Sequence, residues 1–270
     1  MKTRVITGAV LLLVLALTVF GLPPIAMSLL FAAMSAIAAY ELLHRTGLVK
    51  NRRLVAYSMV AAFLVVLWCH FGLAQPWGCM GMLLFTVAVL CELLISHGRL
   101  AFAEVAYCYA AGLVLPNMLS SLVRIHNGTM GEFYVVLPFL LAFLSDTGAY
   151  LVGRACGKHK LAPIISPNKT VEGMVGGILA SVLGMVVYAL VLQFGYSYRV
   201  NYFYVICYGV IGSLGAVFGD LSFSAIKRQV GIKDYGNLFP GHGGILDRFD
   251  SMTIVGPVTE ALLFLLPLVV

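Results

Sequence analysis

Apolar residues run along this chain in long unbroken stretches, separated by short breaks rich in Gly, Pro and basic residues. They do not alternate in the period of two that a half-buried strand requires. Each stretch approaches the roughly 20 residues a helix needs to cross the hydrocarbon core of a bilayer. The pattern predicts nine spanning helices, at residues 5–21, 25–43, 55–73, 79–96, 101–122, 133–152, 173–194, 203–221 and 253–270. Gly21-Leu22-Pro23-Pro24 predicts a tight turn, so the first two form a hairpin. No small-residue cleavage site follows the first apolar run, and that helix is expected to be retained. With no repeat and no dividing linker, residues 1–270 read as a single integral membrane domain of all-α, polytopic type.

Composition strengthens this reading. The 270 residues are 61% hydrophobic and 10% charged. Soluble domains carry about 25% charged residues. A chain this apolar has lipid as its main solvent, where backbone polar groups must be satisfied within helices or closed barrels. The six cysteines, Cys69, Cys79, Cys91, Cys108, Cys156 and Cys207, form no C-x-x-C pair. They read as small buried hydrophobes, without a disulfide framework or zinc site.

Charge then sets the orientation. With the N-terminus in the cytoplasm, 15 of the 17 Lys and Arg residues fall on the inner side. Only Arg124 and Arg199 fall outside. That asymmetry is the positive-inside signature and puts the C-terminus outside. The net charge of +6 suits anionic headgroups or phosphates as partners, and nucleic acid is not expected. Two long polar segments, 153–172 and 222–252, face the cytoplasm in this topology. They are where chemistry on a cytosolic substrate is expected.

The segment around 220–250 is the richer of the two. If the eighth helix continues past 221, Asp220, Ser224, Lys227 and Arg228 share one face. Lys233 and Asp234 follow, then Pro240-Gly241-His242-Gly243-Gly244 and Asp247-Arg248-Phe249-Asp250. Asp247 and Asp250 are three apart at the expected start of the last helix, on one face. Carboxylates at a membrane boundary are costly unless paired or metal-bound. Several beside Lys and Arg suit a Mg²⁺–phosphate site, since Mg²⁺ is held by one or two carboxylates plus substrate phosphates. The N–H groups of the run containing Gly243 and Gly244 would form an anion-binding nest. Singly, such charges more often fix topology or pair structurally. Their density in one segment favours function.

The other segment holds Asp146 within an apolar helix, where an ionisable residue is a functional candidate by default. Ser166-Pro167 predicts a helix start, with Ser166 as N-cap, Pro167 at N1 and Lys169 beside a phosphate. An ordinary capped loop with topogenic charges accounts for this segment equally well. Gly173-x-x-x-Gly177 and Gly215-x-x-x-Gly219 predict close helix packing. Glu41, Glu92, Glu104 and Glu260 sit in or near apolar runs and are expected to pair with unidentified neighbours.

Residues 224–250 closely resemble the phosphatidate cytidylyltransferase family. That family's pattern reads here as Ser224, Ile226, Lys227-Arg228, Lys233-Asp234, Gly236, His242-Gly243-Gly244-Ile245, Asp247-Arg248 and Asp250. Ser166 to Gly173 resembles a second family region, S-P-x-K-T-x-E-G. The resemblance implies transfer of a cytidylyl group from CTP to phosphatidic acid, giving CDP-diacylglycerol and pyrophosphate. It implies Mg²⁺ held by Asp220 and Asp247, with a second metal ion left open. Lys227, Arg228, Lys233 and Arg248 are expected to contact phosphates, with Lys169 and Ser224 in support. His242 is expected to bond a phosphate or position the glycine turn, and Asp146 to orient a ligand or a metal-bound water. Expected partners are CTP, phosphatidic acid and membrane lipids, with a homodimer left open. The expected location is a bacterial plasma (inner) membrane with the site facing the cytoplasm. Competing readings are a related CTP-using lipid enzyme, a transporter of anionic substrates and a non-catalytic scaffold.

Overall fold

The computed structural model describes residues 8–10, 13–72, 75–239, 241 and 243–269. Lys2, Arg4 and His242, and part of the first predicted helix, lie outside the described residues. Among the described residues, seven helices are long and apolar enough to cross a membrane. They are α1 (Pro24–Arg45), α2 (Arg52–Phe71), α3 (Pro76–Ile95), α4 (Phe102–Asn127), α5 (Gly131–Cys156), α6 (Val171–Gly195) and α7 (Tyr202–Gln229). Two short helices close the chain, α8 (Leu246–Phe249) and α9 (Met252–Leu265). The protein is an all-α polytopic membrane protein. Among the described residues, the one sheet is a hairpin of β1 (Lys160–Ala162) and β2 (Ser166–Thr170).

Local chemistry sets several of these ends. The Asn51 side chain accepts from the Arg53 N–H at the start of α2, and Gly72 takes a left-handed conformation at its end. The last predicted helix is shorter than expected, 14 residues with Pro257 inside. α7 runs eight residues past its predicted end at 221, because no Gly or Pro interrupts 222–229. α5 likewise reaches Cys156. The polar segments therefore shrink to 157–170 and 230–245.

Two expectations are corrected. Ser166 and Pro167 do not start a helix; they lie in β2, where Ser166 pairs with Ala162. α6 begins instead at Val171, capped by Thr170, whose Oγ1 accepts from the Gly173 N–H at 3.1 Å. A β-region cap with a hydroxyl outcompetes a proline that the hairpin already holds extended. Asp247 and Asp250 do not share a helix face. Asp247 lies in α8, and Asp250 sits in the turn before α9.

The chain divides into two compact units. The first holds residues up to Glu132 together with Gln229–Phe249, and the second holds Phe133–Arg228 with Asp250–Val270. In the first, α1 packs on α2, and Gly112 of α4 approaches α2 closely: a Cβ there would lie 3.2 Å from Ser58 Cα. In the second, Leu137, Leu141, Met185, Val205, Tyr208 and Val255 form a buried core. α5 and α6 meet through glycine, as the spacing predicts. A Cβ on Gly177 would lie 2.7 Å from the Ser145 carbonyl oxygen, and one on Gly173 would lie 2.8 Å from that of Ala149. Of the cysteines, only Cys108 is buried; Cys79, Cys91 and Cys156 are exposed, on helices whose outer faces are apolar.

Candidate functional site

The second unit gathers charge at one end of α7. Its helical periodicity puts Asp220 and Ser224 one turn apart, and the Ser224 hydroxyl donates to Asp220 Oδ1 at 3.1 Å. Lys169 reaches the same carboxylate from β2, with its Nζ 2.6 Å from Asp220 Oδ2. The extended backbone of β2 aims this lysine, which a helix starting at Ser166 would have directed elsewhere. One turn on, the Arg228 Nε donates to the Ile165 carbonyl in the hairpin turn at 3.3 Å. Asp250 completes the group. The surrounding protein and the charge of Asp220 push its carboxyl up to about 7, with Asp146 adding to the effect. The Ser251 N–H and the charge of Lys227 oppose that rise. Gly219 lets this turn come close, since a Cβ there would lie 2.9 Å from the Asp250 carbonyl oxygen.

Asp146 is exposed on α5, next to a buried Ser145 whose hydroxyl meets that of Ser213 at 2.8 Å. This contact pins α5 to α7 beside Asp146. The hairpin is held from α6: Glu172 accepts from the backbone N–H groups of Lys158 at 3.1 Å and His159 at 3.2 Å. It also meets His159 Nδ1 at 2.5 Å. Glu172 thus fixes the segment that presents Lys169, a role its sequence position alone did not reveal.

The first unit builds its group from the loop 230–245. Asp247 is buried, and its Oδ2 accepts from two backbone N–H groups, Tyr235 at 2.8 Å and Gly244 at 3.0 Å. Gly243 takes a left-handed φ of 83°, and a Cβ on it would lie 2.8 Å from Asp247 Oδ2. Only glycine meets both demands. Glu41, on the last turn of α1, is also buried. It accepts from the N–H of Ile245 at 3.1 Å and of Leu246 at 2.9 Å. Of the run expected to form a nest, the Gly244 N–H goes to Asp247, and the neighbouring N–H groups of Ile245 and Leu246 go to Glu41. Gly244 donates to Asp247, not outward to a ligand. Lys233 and Arg248 are exposed.

Of the predicted residues, Asp220, Ser224 and Lys169 are thus brought into direct contact, and Lys227 acts on the nearby Asp250. Gly243, Gly244 and Asp247 form a second group in the other unit. Ser166 is half-buried in β2, three residues before Lys169. Glu41 and Glu172 went unassigned from sequence: both accept from backbone N–H groups, which no side-chain pattern records, and the His159 partner of Glu172 lies 13 residues before it.

Known proteins resemble this chain along most of its length. The sequence pattern of the cytidylyltransferase family matches residues 2–266. The chain belongs to that family. Among its relatives, a phosphatidate cytidylyltransferase of Staphylococcus haemolyticus is 33% identical over 282 aligned positions, covering 97% of this chain and 99% of that one. The Staphylococcus aureus enzyme of that name (strain COL) is 36% identical over 210, covering 76% and 77%. That of Staphylococcus epidermidis (strain ATCC 12228) is 39% identical over 183, covering 68% of each.

The oxygen donors of Asp220, beside the Lys169 ammonium, are of the type a hard cation takes. Among the described residues, no three His, Cys, Asp or Glu side chains form an all-protein metal cage.

Proposed function

We infer that this protein is a phosphatidate cytidylyltransferase: it transfers the cytidylyl group of CTP to phosphatidic acid, releasing pyrophosphate and making CDP-diacylglycerol for phospholipid synthesis. The observation that carries this is the group at Asp220, where a lysine, a hydroxyl and a second carboxylate converge at the end of a membrane helix. The family match over nearly the whole chain supports it.

A phosphate oxygen of phosphatidate attacks the α-phosphorus of CTP, and the bond to the leaving pyrophosphate breaks. The attacking oxygen is already anionic near neutral pH, so the protein needs no strong base. Its task is to bring two polyanions together and to stabilise charge on the leaving group. Mg²⁺, when bound, supplies that charge screening and orients the phosphates. The sequence pattern makes Asp220 and Asp247 its candidate ligands, and each would offer carboxylate oxygen. Lys169, which neutralises Asp220 here, would also offer its charge to a substrate phosphate. Lys227, Arg228, Lys233 and Arg248 supply further positive charge, and Asp146 orients ligand or water. His242 is assigned a phosphate contact from the sequence pattern alone. The skew of basic residues supports an active site facing the cytoplasm, in the plasma membrane of a bacterium.

The test is pyrophosphate release by the purified protein in detergent, given CTP, phosphatidate and Mg²⁺, with each omitted in turn. Release that needs all three, with a CDP-lipid product, is the expected result. No release from monodisperse protein, across several lipids and metals, overturns the reading.

A further inference from the structure

Glu41 is a buried carboxylate that the cytidylyl-transfer chemistry above does not use. It lies in Glu41–Arg45, where α1 widens from an α-helical to a π-helical turn. Such widened turns in α-helices occur often at functional sites, because they re-aim side chains. Both Glu41 oxygens point at the glycine loop. Oε1 accepts from the Ile245 N–H and Oε2 from the Leu246 N–H. Leu246 opens α8, the short helix that carries Asp247, and Ile245 immediately precedes it.

Two glycines make room for the carboxylate. A Cβ on either Gly236 or Gly244 would collide with Glu41 Oε1. The same turn grips the loop a second time, where the Arg45 Nη2 donates to Asn237 Oδ1 at 3.0 Å. Lower on α1, Phe31 packs edge-on against Phe249 of α8, with ring centroids 5.9 Å apart. α1 thus holds both ends of the loop and the helix that follows it.

A buried carboxylate bonded only to backbone N–H groups fixes the backbone and leaves no neutralising partner in those bonds. Two N–H groups need two acceptor oxygens, and only a carboxylate supplies both; an amide would turn an N–H₂ against one of them. On the adjacent residue, the Gly244 N–H goes to Asp247 Oδ2. Two carboxylates sharing one run of N–H groups, at Gly244, Ile245 and Leu246, fix the position and the rotamer of Asp247.

We propose that Glu41 is a positioning residue for cytidylyl transfer: it clamps the glycine loop so that Asp247 is held in its working geometry. The proposal rests on the reaction and the Asp247 role inferred above.

The test compares Glu41→Gln, Glu41→Asp and a control, Glu92→Gln, with the wild type. Glu92 is also a buried carboxylate of the first unit, but it pairs with Arg53 and Tyr57 at 3.3 Å each, away from the loop. Each protein is assayed by pyrophosphate release at saturating CTP and phosphatidate, over a Mg²⁺ titration, with thermal unfolding in parallel. Gln presents an N–H₂ to a backbone N–H, so Glu41→Gln is expected to lower kcat by about 10–100-fold, the usual cost of losing a residue that orients a ligand. It is also expected to raise the Mg²⁺ requirement, with KM for CTP nearly unchanged. Glu41→Asp keeps the charge with a shorter reach and is expected to recover part of the rate. Glu92→Gln is expected to leave kcat unchanged at any unfolding midpoint. Wild-type kcat and Mg²⁺ requirement in Glu41→Gln overturn the proposal, as does an equal kcat loss in Glu92→Gln. If Glu41→Gln does not fold, Glu41→Asp decides: a lowered kcat supports the proposal and a wild-type one overturns it. An inactive wild type instead overturns the reaction, which separates the two failures.

Discussion

The two units treat their carboxylates in opposite ways. In the first, Glu41 and Asp247 are buried, and backbone N–H groups satisfy them from a loop shaped by glycine. In the second, Asp220 is half-exposed and answers to side chains, Lys169 and Ser224, while burial first, and the charge of Asp220 second, push the Asp250 carboxyl up. Backbone donors cannot move aside, so the first arrangement fixes geometry. Side-chain partners can. The first group is held by fixed backbone donors, and the second by side chains that are able to exchange partners.

The largest effect is expected at Asp220. Asp220→Asn should lower turnover by about 10²–10³-fold, the scale of losing one focused electrostatic contact in a polar transition state. Its unfolding midpoint should stay near wild type, because the ion pair it loses is partly solvated. Near-normal turnover at physiological Mg²⁺ would remove Asp220 from the metal role. Asp247→Asn should sharpen the contrast by losing both activity and stability. An amide weakens two charge-assisted bonds, at a cost of about 1–2 kcal/mol, read as a lower midpoint in thermal unfolding. If Asp247→Asn kept full stability, the contrast between the units would fail.

Lys169→Met comes next, with an expected loss of about 10–100-fold in activity and a substrate requirement that rises for CTP or lipid. An unchanged rate across both titrations would leave Lys169 as a resting-state partner only. Asp250 gives a pH signature. Its folded pKa is about 7 against an ordinary 3.8. Between these values the folded protein keeps a proton that the unfolded chain has released, so stability without Mg²⁺ falls as pH rises from about 4 to about 7. Asp250→Asn should flatten this slope in thermal unfolding, and added Mg²⁺ should reduce it. The smallest effect is expected from Thr170→Ala, which removes the α6 cap at a cost of about 1 kcal/mol and leaves kcat near wild type. A large kcat loss there would mean that the hairpin presenting Lys169 depends on the cap.

Much of the second group was legible before any fold was known. Asp220, Ser224, Lys227 and Arg228 follow helical periodicity, and α7 continues through them as that spacing requires. Lys169 was legible as a candidate but not its setting, because Ser166-Pro167 fits a helix start and an extended strand equally well. The pairing of β2 with β1 decided between them. The first group was harder to read. The glycines pointed to an anion nest, but the anions proved to be Glu41, 204 positions away in sequence at Ile245, and Asp247.

The sequence alone determined the membrane-helix character, the family and the residues that can bear chemistry, because hydrophobic length, charge skew and local spacing are properties of the chain itself. Only the tertiary structure decided which charge answers which. The widened turn at the end of α1 aims Glu41 at a distant loop, and the hairpin sends Lys169 to Asp220. Those contacts depend on how helices pack and on where backbone N–H groups point, and neither is written in the order of side chains.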